Sequence, residues 1–454
     1  MKPYIISLLI LLPTLGFAQD MLRLEEAVQV AMENNFDLKI ARLNQQVVEN
    51  NAHPGNAGLF PKLDLTAGAN YSNSNGSATF PVTDSAGNRV IDPATGEQVT
   101  QKVSANGIET NSQNIGLGLT YTVFDGLGNV YNYRVLKTNV QLSDAQTRAL
   151  MEGTLSQVIS AYYQVARLQG NLRITNESLS LSRDRLNFIN NQNEFGVSNG
   201  LAVLNAEVDL NTDSVNVATV EMNLANAKRD LNMLLGRNPG ESFTVSEDIS
   251  WQRNLRMEDI YEQARQANSG LATAEYNRKI SELNVRLAQA GTLPRLDVNV
   301  NYGFNRNDNG PFGFVRTTTG LGLNAGANLS FNIFNGNRSR VNKQNAEISL
   351  ASSNTALQQV EQQLLHDVQN AYANYRNSIS IYRLEQKNLE AAKANFSRTK
   401  ETFELGQATN VQFRNAQLNL QQVEQRLNEL QYNIKLNETE LMRLSGQLVP
   451  VEAG

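Results

Sequence analysis

Cysteine is missing from this chain, and histidine is nearly so, with only His53 and His366 among 454 residues. Without cysteine there is no disulfide, no thiolate nucleophile and no Cys-ligated metal. Two histidines all but exclude a His-rich metal centre or a Ser-His triad. No metal, no cofactor and no enzymatic activity are therefore expected. After residue 18 no apolar run approaches the roughly 20 residues of a spanning helix, so any passage through a membrane must be made by a β-barrel. Excess basic charge is also absent: 39 Lys and Arg against 44 Asp and Glu give −5, and −6 once Lys2 is removed with a leader. Nucleic acid, which needs a basic surface, is not an expected partner. Gly116-x-Gly118 and Gly320-x-Gly322 lie inside alternating strands and lack the continuation of a nucleotide loop.

What is present starts with an export leader. Lys2 precedes an apolar run from Ile5 to Phe17, and small residues at Gly16 and Ala18 stand before Gln19. The pattern predicts a signal peptide over residues 1–18. Farther on, Leu321 to Gly336 alternates strictly. Leu321, Leu323, Ala325, Ala327, Leu329, Phe331 and Ile333 share one face, and Gly322, Asn324, Gly326, Asn328, Ser330 and Asn332 the other. A period of two is a strand with one apolar face, and its uncharged Asn/Gly face suits the wall of a water-filled passage. The same alternation predicts strands at about 61–73, 114–124, 294–306 and 320–334. They match the length of tilted strands that cross a bilayer. Asp64, Asp297, Asn299, Asn301, Asn324 and Asn328 fall on the polar, lumen-facing side. Asp64 and Asp297 are either a ring of charge or solvated strand ends.

An internal repeat organises the rest. LEEAVQVAMENNFDLKIARLN from Leu24 aligns with MEDIYEQARQANSGLATAEYN from Met257 at an offset of 257 − 24 = 233, and the later pairs Phe124/Phe334, Tyr162/Tyr372, Gly196/Gly406 and Gly236/Gly446 at 210. The difference lies between about residues 73 and 113, a stretch rich in Asn, Ser, Gly and Pro that is expected to form a long exterior loop over 76–112. Each half reads as helix, strand, loop, strand, very long helix, turn and return helix. The long helices at about 128–190 and 338–400 contain no proline and carry apolar residues at coiled-coil spacing. Gly196 and Gly406 end them, and return helices follow near 200–235 and 410–445. The resulting plan is a first repeat over 19–237, a linker over 238–256, a second repeat over 257–447 and a tail over 448–454. Four strands with an apolar face leave open edges, so several copies must share one barrel.

The LRLEEAVQVAMENN opening, the duplicated strand pairs and helical hairpins, and the turns FGVSNGL and LGQATNV together resemble the TolC family of outer membrane efflux proteins. The resemblance covers essentially the whole chain after the leader. It implies an α+β membrane protein: a homotrimer whose 12-stranded barrel, four strands from each chain, crosses the outer membrane of a Gram-negative bacterium and continues as a long α-helical barrel in the periplasm. It also implies a passive exit duct that works with a periplasmic adaptor and an inner-membrane pump. Gly196, Val197, Ser198, Asn199 and Leu201, with Gly406, Gln407, Ala408, Thr409 and Asn410, match the family's adaptor-docking tips. Tyr382, Glu385, Glu390 and Arg398 fall in the segment that lines the family's periplasmic gate. The family's aspartate ring is replaced there by glutamates among lysines and arginines. From the residues alone, a soluble periplasmic coiled-coil scaffold or adaptor, with the strands as a sandwich core, is the alternative.

Overall fold

The computed structural model describes residues 21–196, 199–309 and 315–449. The expected leader, Val197 and Ser198 of the first turn, and the end of the tail lie outside the described residues. In chain order the elements are β1 (Met21–Leu22), α1 (Leu24–Asn34), α2 (Phe36–Asn51), β2 (Lys62–Pro81), β3 (Thr100–Phe124), α3 (Gly128–Glu194) and α4 (Gly200–Leu234). There follow β4 (Thr244–Val245), α5 (Met257–Ala267), α6 (Ser269–Ala290), β5 (Arg295–Asn309), β6 (Thr317–Ser330), α7 (Arg338–Glu404) and α8 (Asn410–Leu444). Two compact units result among the described residues, one within 49–139 and 279–352, the other within 21–48, 140–278 and 353–449.

The first unit is built on an antiparallel sheet in the order β2-β3-β5-β6. β2, β3 and β5 run longer than the apolar alternation predicts. In particular, residues 76–112 are not a long loop, because β2 continues to Pro81 and pairs there with Thr100. Backbone pairing needs no apolar side chains, so a Ser- and Asn-rich ribbon can extend a hairpin without showing a hydrophobic period. A shift in register after Ser74 accommodates Gly107 at φ +70°, whose N–H donates to Asn75 Oδ1 at 2.7 Å. At the other end β6 stops at Ser330, leaving Phe331 and Ile333 beyond the strand.

Strand-to-helix turns repeat in both halves. Gly126 and Leu127, like Gly336 and Asn337, hold positive φ. Asp125 Oδ2 accepts the N–H of Asn129 at 2.8 Å and so satisfies one of the free donors at the start of α3.

In the second unit the repeat becomes duplicate packing. Ala27, Ala31, Val158, Leu224 and Leu231 are buried in one core, and their counterparts Ile260, Ala264, Val368, Ile434 and Leu441 in another. The single opening helix expected in each half is two helices. Asn35 breaks the first: its side chain accepts from Leu38 N–H at 3.1 Å and donates to Leu234 O at 2.8 Å. Asn268 repeats the arrangement with Leu271 and Leu444 at 3.0 Å each. The linker is pinned as well. β1 and β4 pair in parallel, Tyr162 Oη donates to Leu22 O, and Gln169 exchanges two hydrogen bonds with Val245. Both α3 and α7 are 67 residues long, roughly 100 Å at 1.5 Å per residue.

Candidate functional site

Register settles which side chains share a face of the sheet. Leu65, Leu117, Tyr302 and Leu323 form one cross-strand row, and Ala67, Ile115, Phe304 and Leu321 another. Between them on the opposite face lies the row Thr66, Gly116, Gly303 and Gly322, and on the far side of the Leu65 row, on that same opposite face, the row Asp64, Gly118, Asn301 and Asn324. All six predicted lumen residues belong to that polar face. The apolar face is uncovered: Leu65, Leu321 and Leu323 are 68 %, 65 % and 66 % exposed. A sandwich core would have buried them. One polar row, Gly116-Gly303-Gly322, has no room for side chains on its first two members, since a Cβ on Gly303 would stand 3.0 Å from Ile115 O.

Asp64 and Asp297 do not form one ring of charge. Asp64 shares its row with Asn301, whereas Asp297 pairs with Thr122, which sets the two carboxylates 301 − 297 = 4 residues out of step. Each is also neutralised locally, Asp64 by Lys62 at 3.1 Å and Asp297 by Arg295 at 2.8 Å. The repeat made them equivalent in sequence, but the stagger between strands separates them.

The hairpin ends are built by capping. Gly196 and Gly406 take φ of +72° and +73°, the left-handed conformation that closes a helix. Asn199 caps α4 by accepting from Ala202 N–H, and Thr409 with Gln412 completes a capping box on α8. Leu201, Gln407 and Asn410 flank these caps, and Ala408 N–H donates to Thr402 O. Phe195 and Leu405, one at each turn, are 82 % and 72 % exposed.

Behind the turns Phe188, Phe396, Phe403 and Phe413 stack with centroids 4.9 to 5.5 Å apart. Beside them lies a buried ionic cluster that the sequence reading missed. Arg414 Nη1 and Nη2 donate to Asp213 at 2.7 and 2.8 Å, Ser182 Oγ donates to Asp213 at 2.6 Å, and Arg185 Nη2 donates to Asp209 at 2.7 Å. Burial pulls the Arg185 guanidinium below its ordinary value, with Asp209 opposing only in part. Burial acts on Arg414 too, but the bonds to Asp213 outweigh it and hold that guanidinium above its ordinary value. The repeat carried a sign of this cluster: at the offset of 210, Leu204 stands opposite Arg414 and Val423 opposite Asp213. A charge replacing an apolar residue in each of two packed helices marks a buried pair.

The four gate candidates are not brought together. Tyr382 packs edge-to-face on Trp251 with centroids 5.4 Å apart. Glu385 is buried, accepts from Asn388 and lies 4.0 Å from Arg426. Glu390 and Arg398 are exposed farther along α7. Among the described residues no group of His, Cys, Asp and Glu could hold a metal ion, and no helix is long and apolar enough to cross a membrane.

A sequence profile described as Outer membrane efflux protein matches residues 27–237 and 260–447. The chain belongs to the outer membrane efflux protein family. This efflux protein is 25 % identical over 313 residues to the outer membrane protein TolC of Vibrio cholerae, covering 67 % of this chain and 70 % of that one. With TolC of Escherichia coli it shares 21 % identity over 436 residues, covering 94 % and 82 %. Its fold matches the outer membrane channel CmeC of Campylobacter jejuni with a TM-score of 0.75 at 17 % identity, over 95 % of this chain and 87 % of that one. The efflux protein is thus an outer membrane protein with the architecture of a channel.

Proposed function

We propose that three copies of this chain close one 12-stranded barrel, and that the barrel is the exit duct of a tripartite efflux or secretion system. The observation that carries the reading is the four-stranded sheet with one exposed apolar face and one Asn/Gly face, paired on one side only at β2 and β6. Open edges do not survive in hydrocarbon, so the strands must be closed by further copies. An Asn/Gly lumen binds no solute tightly, which suits passive conduction. A periplasmic adaptor is the partner that fits the turns at Gly196–Leu201 and 406–411, where Phe195 and Leu405 offer apolar surface beside capped helix ends. Gating falls to the part of α7 that carries Tyr382, Glu385, Glu390 and Arg398.

The test compares two neighbours on β5. Val300→Arg puts a charge on the lipid face at an expected cost of about 2 to 4 kcal/mol, whereas Asn301→Arg faces the lumen and is tolerated. Val300→Arg should therefore vanish from heat-modifiable oligomers in outer membranes while Asn301→Arg remains. Equal assembly of the two would rule out the assignment of faces.

A further inference from the structure

The linker and α7 enclose a cleft of about 730 Å³, and the conduit does not account for its chemistry. One wall is the segment Trp251 to Arg256, held down by Tyr375 Oη donating to Gln252 O, by Tyr372 Oη donating to Leu255 O at 3.1 Å, and by Gln252 N–H donating to Glu438 at 2.7 Å. The other wall is the face of α7 carrying Tyr372, Arg376, Ile379 and Arg383, residues spaced by three and four and therefore stacked on one side of the helix. Arg253 and Arg256 from the first wall and Arg376 and Arg383 from the second all line the cleft. No Asp or Glu lines it. Arg256 leans on Asp259 at 3.9 Å, while Arg253, Arg376 and Arg383 have no carboxylate partner among the described residues. The buried carboxylate behind the wall, Glu438, is already held by Lys435 at 2.7 Å.

Four guanidiniums line one cleft, three of them without a carboxylate partner, and like charges gathered in this way repel, in a chain whose net charge is −5. Beside them stand the perpendicular rings of Trp251 and Tyr382. Guanidinium forks bind planar anionic groups through paired hydrogen bonds, and an aromatic ring adjoining them adds stacking area. We propose that this cleft is a binding site for a flat organic anion bearing at least two negative charges, such as an aromatic disulfonate, dicarboxylate or phosphate. Its anionic groups sit between the two arginine pairs and its ring lies against Trp251. The Tyr372 and Tyr375 hydrogen bonds hold the walls at this spacing before the ligand arrives. The site stands apart from the duct reading, because it is complete within one chain.

The experiment uses the mature protein purified from membranes in mild detergent, with benzene-1,3-disulfonate as the probe. Binding is followed by titration calorimetry and by the emission of Trp251, the chain's one tryptophan. The expected result is saturable binding with a change in Trp251 emission, weakened by added salt. Arg376→Gln and Arg383→Gln should each weaken it about tenfold, and Arg183→Gln, outside the cleft, should leave it unchanged. Benzene-1,3-dimethanol should not bind, and inorganic sulfate should compete only weakly. Particle mass is measured for each variant. The proposal fails if the wild-type protein shows no saturable binding, or if the cleft variants bind as well as the parent. It also fails if Arg376→Gln or Arg383→Gln changes the number of copies per particle while the parent binds no probe, since the arginines would then be contacts between subunits.

Discussion

Asp213 is 1 % exposed and takes two hydrogen bonds from Arg414 and one from Ser182. Removing it leaves the Arg414 guanidinium with only Asp209, at 3.6 Å, as a carboxylate partner, and breaking a buried pair costs up to about 3 to 5 kcal/mol. Asp213→Ala should accordingly lower the thermal midpoint of the helical circular dichroism signal well below that of the parent. The other repeat supplies the repair, because it carries leucine and valine at the matching positions. Arg414→Leu combined with Asp213→Val should recover more than half of the loss, as expected when a buried pair gives way to apolar packing. Glu424 offers a pH test. Burial raises its carboxyl above the ordinary value, with Lys393 at 3.7 Å opposing only in part. A folded-state pKa above the unfolded one means that the folded chain holds the proton more tightly, so stability rises as pH falls through the folded value and the full penalty applies above it. Glu424→Gln should then raise the thermal midpoint near neutral pH, and its advantage should shrink in mildly acidic buffer. Asp213 left only the trace of an apolar residue at its matching position in the other repeat, and Glu424 left none, because a charge on a long helix is ordinarily solvated and packing shows which ones are buried.

Among the elements, the paired breaks at Asn35 and Asn268 bind each opening helix to the end of a return helix. Each asparagine caps one helix with its oxygen and holds the last carbonyl of another with its nitrogen. Gly236 and Gly446 at φ +67° and +69° complete the junctions, since a Cβ there would run into the carbonyls of Asn34 and Ala267. Asn268→Ala should cost about 1 to 2 kcal/mol and speed amide exchange at Leu271, with the Asn35 junction unaffected. Uniform exchange rates in both halves would argue against two independent latches. The sequence made the strands and long hairpins legible because their apolar residues repeat with periods of two and three to four over many turns. It hid the upper β2–β3 ribbon, which pairs through backbone alone, and it hid the helix breaks, where one asparagine interrupts an otherwise helical pattern.

At the scale of the whole molecule the decisive number is the copies per particle. Light scattering of the detergent-solubilised protein, corrected for bound detergent, should return three copies. A detergent-independent monomer would remove the closed barrel, because four strands cannot satisfy their own edges in lipid. The sequence by itself determined the duplication, the strand alternation and the long coiled hairpins. Each of these rests on composition or on a local period, and a local period survives without knowledge of partners. Only the tertiary structure decided that Asp64 and Asp297 stand at different levels, that Arg414 is buried against Asp213, and that the linker closes an arginine cleft over α7. Those facts join residues far apart in the chain, and strand stagger and helix docking set such distances where no neighbouring residue records them.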